Sequence, residues 1–153
     1  MSNKYPRSFS CLIGEHAELE RLFDSHQRAL LEGNVGNALA VLKTFGVELC
    51  EHIDYEETRL LPLFAEEGGE TEGATLEIFQ AEHRKLREQA DKLTKQTQAL
   101  FASTDLMGSI IALMDDEALF KGLFHHHALR ERNLLFPRLD ERTTEEQRER
   151  LLG

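Results

Sequence analysis

The chain has 153 residues, 41% of them apolar and 30% charged, and a formal net charge of −10. That length suits one domain, spanning residues 1–153, with a properly buried core. The acidic balance argues against nucleic acid, whose phosphates demand a basic face, and against anionic membrane surfaces.

Only three prolines, ten glycines and no alternating run of Val, Ile and Thr point to an all-α chain. The N-terminal MSNKYPRSFS lacks the apolar core of a secretory signal, and no apolar stretch approaches the ~20 residues that span a bilayer. A reducing, cytoplasmic setting is expected. Cys11 and Cys50 form neither a CxxC pair nor a disulfide framework, and are expected to be small buried or half-buried residues.

Residues 1–8 read as a short arm. From about Ser10, Leu12, His16, Leu19, Phe23 and Leu30 recur at helical steps. EGNVGN (32–37) breaks this first helix, with Asn34 or Asn37 available to cap the next. The second helix sets Leu42, Phe45, Leu49, His52, Glu56, Leu60 and Phe64 on one stripe. Pro62 interrupts it near its end, and Gly68-Gly69 closes it.

The third helix places Leu76, Phe79, His83, Leu86, Ala90, Leu93 and Leu100 inward. Ser103, Thr104 and Asp105 form a polar turn with candidate caps. The fourth turns Leu113, Phe120, Phe124, His127, Glu131 and Leu134 inward. After Pro137, Thr143 and Glu146 have capping-box spacing for a short terminal helix. Four amphipathic helices on short loops predict an antiparallel up-down four-helix bundle over about residues 10–138.

Two stretches of the chain repeat. In EHIDYEETRLLP (51–62), His52 stands four residues before Glu56 and ten before Pro62. In HHHALRERNLLFP (125–137), His127 has the same offsets to Glu131 and Pro137. Residues four apart share a helix face, so each copy offers an imidazole beside a carboxylate, a chelating pair. The helix before each copy carries EHxxL, as EHAEL (15–19) and EHRKL (82–86). Two similar hairpins would thus bring His16, His52, Glu56, His83, His127 and Glu131 together.

Six ionisable groups in a helical core are costly unless paired or metal-bound. The stripes offer almost no cation to pair with them, Arg87 being the main exception. Four imidazoles and two carboxylates exceed the needs of one tetrahedral zinc. They suit two metals with bridging glutamates and terminal histidines. This donor set is typical of non-haem iron and compatible with manganese or zinc.

With His on helices one and three and HxxxE on helices two and four, the chain resembles the hemerythrin-like family, or HHE cation-binding domain, over residues 10–137. The resemblance implies a di-iron centre bridged by Glu56 and Glu131, with the four histidines divided between the irons, able to bind dioxygen or nitric oxide. Oxygen-carrying hemerythrins place two histidines four apart on helix three, whereas Arg87 follows His83 here. One metal is then expected to lack a protein ligand, with Glu20 and Glu57 as the obvious substitutes. Their ordinary reading is an acidic residue near a helix start and a solvated or supporting carboxylate.

His125 and His126 rotate off the seam by roughly 200° and 100° and read as surface or supporting residues. His26, about 15 Å along the helix from His16, lies too far away to join. The phenylalanines at 23, 45, 79, 120 and 124 read as core that keeps the site dry. No histidine has Glu three residues before it, which excludes the ferritin-like pattern. Neither a nucleophile elbow nor a phosphate loop is present. The expected function is binding or sensing of dioxygen, nitric oxide or iron. Rival expectations are an enzyme for nitric oxide or peroxide reduction or iron-centre repair, and a structural metal site.

Overall fold

A computed structural model describes residues 7–153; most of the arm expected at residues 1–8 lies outside them. The elements are α1 (Ile13–Leu31), α2 (Val35–Tyr55), α3 (Leu61–Glu66), α4 (Leu76–Ala99), α5 (Leu106–Arg130), α6 (Phe136–Arg142) and α7 (Glu145–Leu152). The all-α expectation holds, with no strand among the described residues. None of the described helices is long and apolar enough to cross a membrane. The bundle is formed by α1 on α2, α2 on α4, α4 on α5 and α5 back on α1.

The helix starts follow local chemistry. Asn34, Thr75 and Asp105 each accept a backbone N–H three residues on, a cap worth about 1 kcal/mol. Gly33, at φ +72°, turns α1 into α2 through a conformation that side chains resist. The terminal capping box is Thr144 with Gln147 rather than Thr143 with Glu146. Thr143 instead donates its hydroxyl to Leu139 O, so the helix starts one residue later.

The interruption expected at Pro62 occurs, and the same form recurs before Pro137. Glu56–Leu60 and Glu131–Leu135 are single π-helical turns, with the N–H of Leu61 donated to Glu56 O and that of Phe136 to Glu131 O. Each proline follows immediately, at the start of α3 or α6. It has no N–H to continue the α ladder, and its ring crowds the carbonyl four residues back. The wider turn moves the inward position one residue on, so Leu135 is fully buried. Leu134, expected inward, is exposed.

Two apolar clusters fill the bundle. The larger gathers Leu19, Phe23, Phe45, Leu49, Leu86, Phe120 and Phe124. The smaller gathers Phe9, Leu12, Leu60, Phe64, Phe79, Leu135 and Phe136. Between them on all four helices lie the positions of the six candidate ligands. Cys50 is half-buried as expected, but Cys11 is exposed, because it lies on the outer side of the short 3-10 turn Phe9–Leu12 whose ends Phe9 and Leu12 face inward.

Candidate metal centre

All six sequence-selected residues are buried and converge. They form two groups: His16, His52, Glu56 and Glu131, and His83, His127, Glu56 and Glu131. Within each group the ligand atoms lie within 4.8 Å of one another. Atoms held about 2.0–2.2 Å from a shared ion stand at comparable spacings. Both glutamates belong to both groups, and the imidazoles are divided by hairpin. His16 and His52 stand with ring centroids 5.0 Å apart, and His83 and His127 at 4.8 Å.

Glu131 Oε1 is the most shared atom. It accepts from His16 Nε2 at 2.9 Å and lies 3.0 Å from His127 Nε2 and 3.8 Å from His52 Nε2. Glu56 Oε2 lies 3.4 Å from His83 Nε2, and Glu56 Oε1 sits directly against His52 Nε2. That last contact is close but lacks hydrogen-bond geometry. His52 Nε2, both oxygens of Glu56, His83 Nε2, His127 Nε2 and Glu131 Oε2 are buried with no hydrogen-bond partner among the described residues. Buried polar atoms are seldom left this way. Six of them aimed at one another fit a cation-binding centre.

The outer ring nitrogens explain the aim. His52 Nδ1 donates to Glu15 at 2.6 Å, His83 Nδ1 to Glu57 at 3.0 Å and His127 Nδ1 to Glu82 at 3.2 Å. A carboxylate on Nδ1 fixes the tautomer and points Nε2 inward. Glu82 is itself held by Arg130 Nε, and Arg130 also reaches Gly73 O. Glu57 thus supports His83 from behind rather than joining a ligand group. Glu20 is exposed and stays outside both groups.

Each group has two histidines and two glutamates, so with Arg87 in place of a second helix-three histidine neither group has a third imidazole. Arg87 pairs outside the centre with Asp54. His125 and His126 are exposed, as expected. The roles of Glu15 and Glu82 were not read from the sequence, although both stand in its repeat as the glutamates of EHxxL. Each supports the histidine of the HxxxE pair in its own hairpin.

Electrostatics separate the histidines. Burial and the neighbouring His52 lower His16 to about 4, so it stays neutral. Burial opposes a charge on His52, yet Glu15 and Glu56 outweigh it and raise the group to about 9. Burial likewise disfavours ionised Glu56, but the His52 and His83 imidazoles beside it hold its carboxyl down at about 2. Burial, with His83 nearby, lowers His127.

Two clefts reach the centre from outside. One, of about 420 Å³ between α1 and α2, exposes an edge of His52 among Glu15, Glu18, Glu48 and Glu51. The other, of about 220 Å³ between α1 and α5, reaches His16 past Ala17, Ala128 and Arg132.

A second buried pair also escaped the sequence reading. His26 Nδ1 donates to Ala38 O at 2.7 Å, and its Nε2 lies 2.6 Å from Glu117 Oε2. Gln27 donates to the other Glu117 oxygen. Both residues are fully buried and take no part in the centre. Glu117 lies on the Leu113–Phe120–Phe124 stripe, a charge at an apolar position. The same signal had marked His52 and Glu56.

No protein-family model matches the chain, and neither a curated protein nor a solved structure matches it.

Proposed function

We propose that the chain is a hemerythrin-like protein that holds a carboxylate-bridged di-iron centre and uses it to bind or sense dioxygen or nitric oxide, or to sense iron. The carrying observation is that Glu56 and Glu131 each belong to two ligand groups with separate histidine pairs. Two carboxylates shared by two imidazole pairs suit two ions better than one. The mixed nitrogen and oxygen donors favour iron, with manganese or zinc as competing occupants. When bound, ferrous iron supplies electrons and open coordination positions for a small diatomic ligand.

The residues divide the remaining work. Glu15, Glu57 and Glu82 orient three imidazoles, and Phe124 and Phe136 pack against His16. The apolar clusters on either side exclude bulk water, which governs ligand access and metal oxidation. The acidic cleft at His52 attracts cations.

The clefts at His16 and His52 also favour a second reading, an enzyme that reduces nitric oxide or peroxide or repairs iron centres. Anaerobic purification, iron reconstitution, metal analysis and absorption spectra test the first reading. Two irons per chain and a band that responds to dioxygen or nitric oxide are expected. One iron or fewer with no such band would sink it. Sustained turnover with a reductant favours the enzyme, and stoichiometric uptake the binding module. Glu56→Ala and Glu131→Ala should each abolish spectral coupling while the helical signal remains.

A further inference from the structure

Helix α5 is apolar on two sides. Its inner side packs Ile110, Leu113, Phe120 and Phe124 into the core, as a bundle helix requires. Its outer side should be polar, yet Met107, Ile111 and Leu119 are 54, 62 and 72% exposed. At 100° per residue these three share an arc of about 120° with Ala118 and Gly122, opposite the core. The neighbouring α4 exposes Arg84, Glu88, Asp91 and Lys95 instead. Single exposed leucines are ordinary, but three large apolar side chains on one outer face, with Asp115 and His126 the exposed polar residues among them, mark a contact surface.

Gly122 sits in the middle of this face. Glycine inside a helix weakens it, and a Cβ here would meet nothing within 4 Å beyond its own helix backbone. The space over this position is open, as it is over Gly14 and Gly46, so a partner helix can approach closely here. Beside it a cleft of about 510 Å³ opens between α4 and α5, walled by Leu86, Leu119 and Leu123, with Lys85 at its rim.

The charges indicate what fits there. Asp115 stands one helical turn before Leu119, and Lys85, across the cleft on α4, borders it beyond Leu119. Both are exposed, and neither has an ion-pair partner among the described residues. They are opposite in sign and lie on either side of Leu119.

We propose that this face binds the same face of a second copy of the chain, α5 against α5 in antiparallel order about a two-fold axis near Leu119. That symmetry carries the segment before Leu119 onto the segment after it in the other copy, and each contact is made twice. Asp115 of each protomer then meets Lys85 of the other. Leu119 enters the opposite cleft, and Gly122 lets the helices close. The cleft is also lined by Glu82, which supports His127, so metal content is measured beside dimerisation and either can fail without the other.

Sedimentation velocity on the full chain, metal-free and metal-loaded, tests this over about two decades of concentration around the micromolar range. A reversible monomer–dimer equilibrium is expected in both forms. Leu119→Gln and Gly122→Gln should each weaken it by about tenfold or more. Their circular dichroism should stay helical, because both positions are open to solvent and glutamine is a good helix former. Asp115→Lys should weaken the dimer, and adding Lys85→Asp should restore it. A monomer throughout the range, a dimer that both glutamine variants leave intact, or a double reversal that fails to restore pairing would each overturn the proposal.

Discussion

Among the described residues, His16 is the centre histidine whose Nδ1 meets no carboxylate, and one position of the repeat explains why. Glu56 corresponds to Glu131, so Glu57, which supports His83, corresponds to Arg132. Arg132 borders the cleft over His16, and a guanidinium offers no acceptor. The two ligand groups therefore match in donors and differ in support. Loss of such a partner typically costs about 10–100-fold in metal affinity. Calorimetric titration of the metal-free protein should accordingly give two unequal affinities, the weaker involving His16. Arg132→Glu should narrow the gap, since it restores the carboxylate found in the other half. Equal affinities in the unaltered protein would remove the basis for this asymmetry. Glu117 is marked by its place on the apolar stripe of α5, whereas Glu15 and Glu82 stand off the stripes of their helices. What these two touch lies on another helix, which periodicity along one helix cannot reveal.

At the scale of the helices, stripe periodicity located every inward position named on α1, α2 and α4, with Leu76 only half-buried. It failed at Leu134 because the 3.6-residue period does not survive a π turn. The warning was present in the sequence, since proline stands six residues after both Glu56 and Glu131. Whether proline or packing holds these turns can be decided by magnitude. Reversion to an α register would swing Leu135 and Phe136 by about 100° out of the core. That costs roughly 2 kcal/mol for each side chain, against about 1 kcal/mol for a recovered backbone hydrogen bond. Packing wins. Pro137→Ala should thus keep the turn, change stability by less than about 1 kcal/mol and leave metal stoichiometry unaltered. Urea denaturation with metal analysis checks this. A variant that stays folded but loses its metal would assign the register to proline itself.

Across the whole molecule, the fold was legible because the chain states its plan twice, in two hairpins with matching His and Glu positions. The consequence for stability was less legible: a layer of six ionisable groups separates two apolar clusters. Without a metal, several of these groups keep buried atoms unpartnered, at a cost that bound ions relieve. Metal should therefore raise the melting temperature, and pH should set by how much. In the metal-free protein His52 is raised from 6.5 to about 9. Its stabilising proton is fully present below 6.5 and is lost as pH rises through 9. A metal must displace that proton, so apparent affinity should climb about tenfold per pH unit up to about pH 9. His16, lowered to about 4, imposes no such cost above neutral pH. From about pH 6.5 to about pH 8.5 the gain in affinity is about 100-fold, or about 2.7 kcal/mol at fixed free metal. For a chain of this size it corresponds to roughly 5–10 °C. Calorimetric melts of loaded and metal-free protein at the two pH values should show the difference widening by that amount at the higher pH. A gap that is flat or narrows with pH would mean that the metal does not compete with the proton on His52.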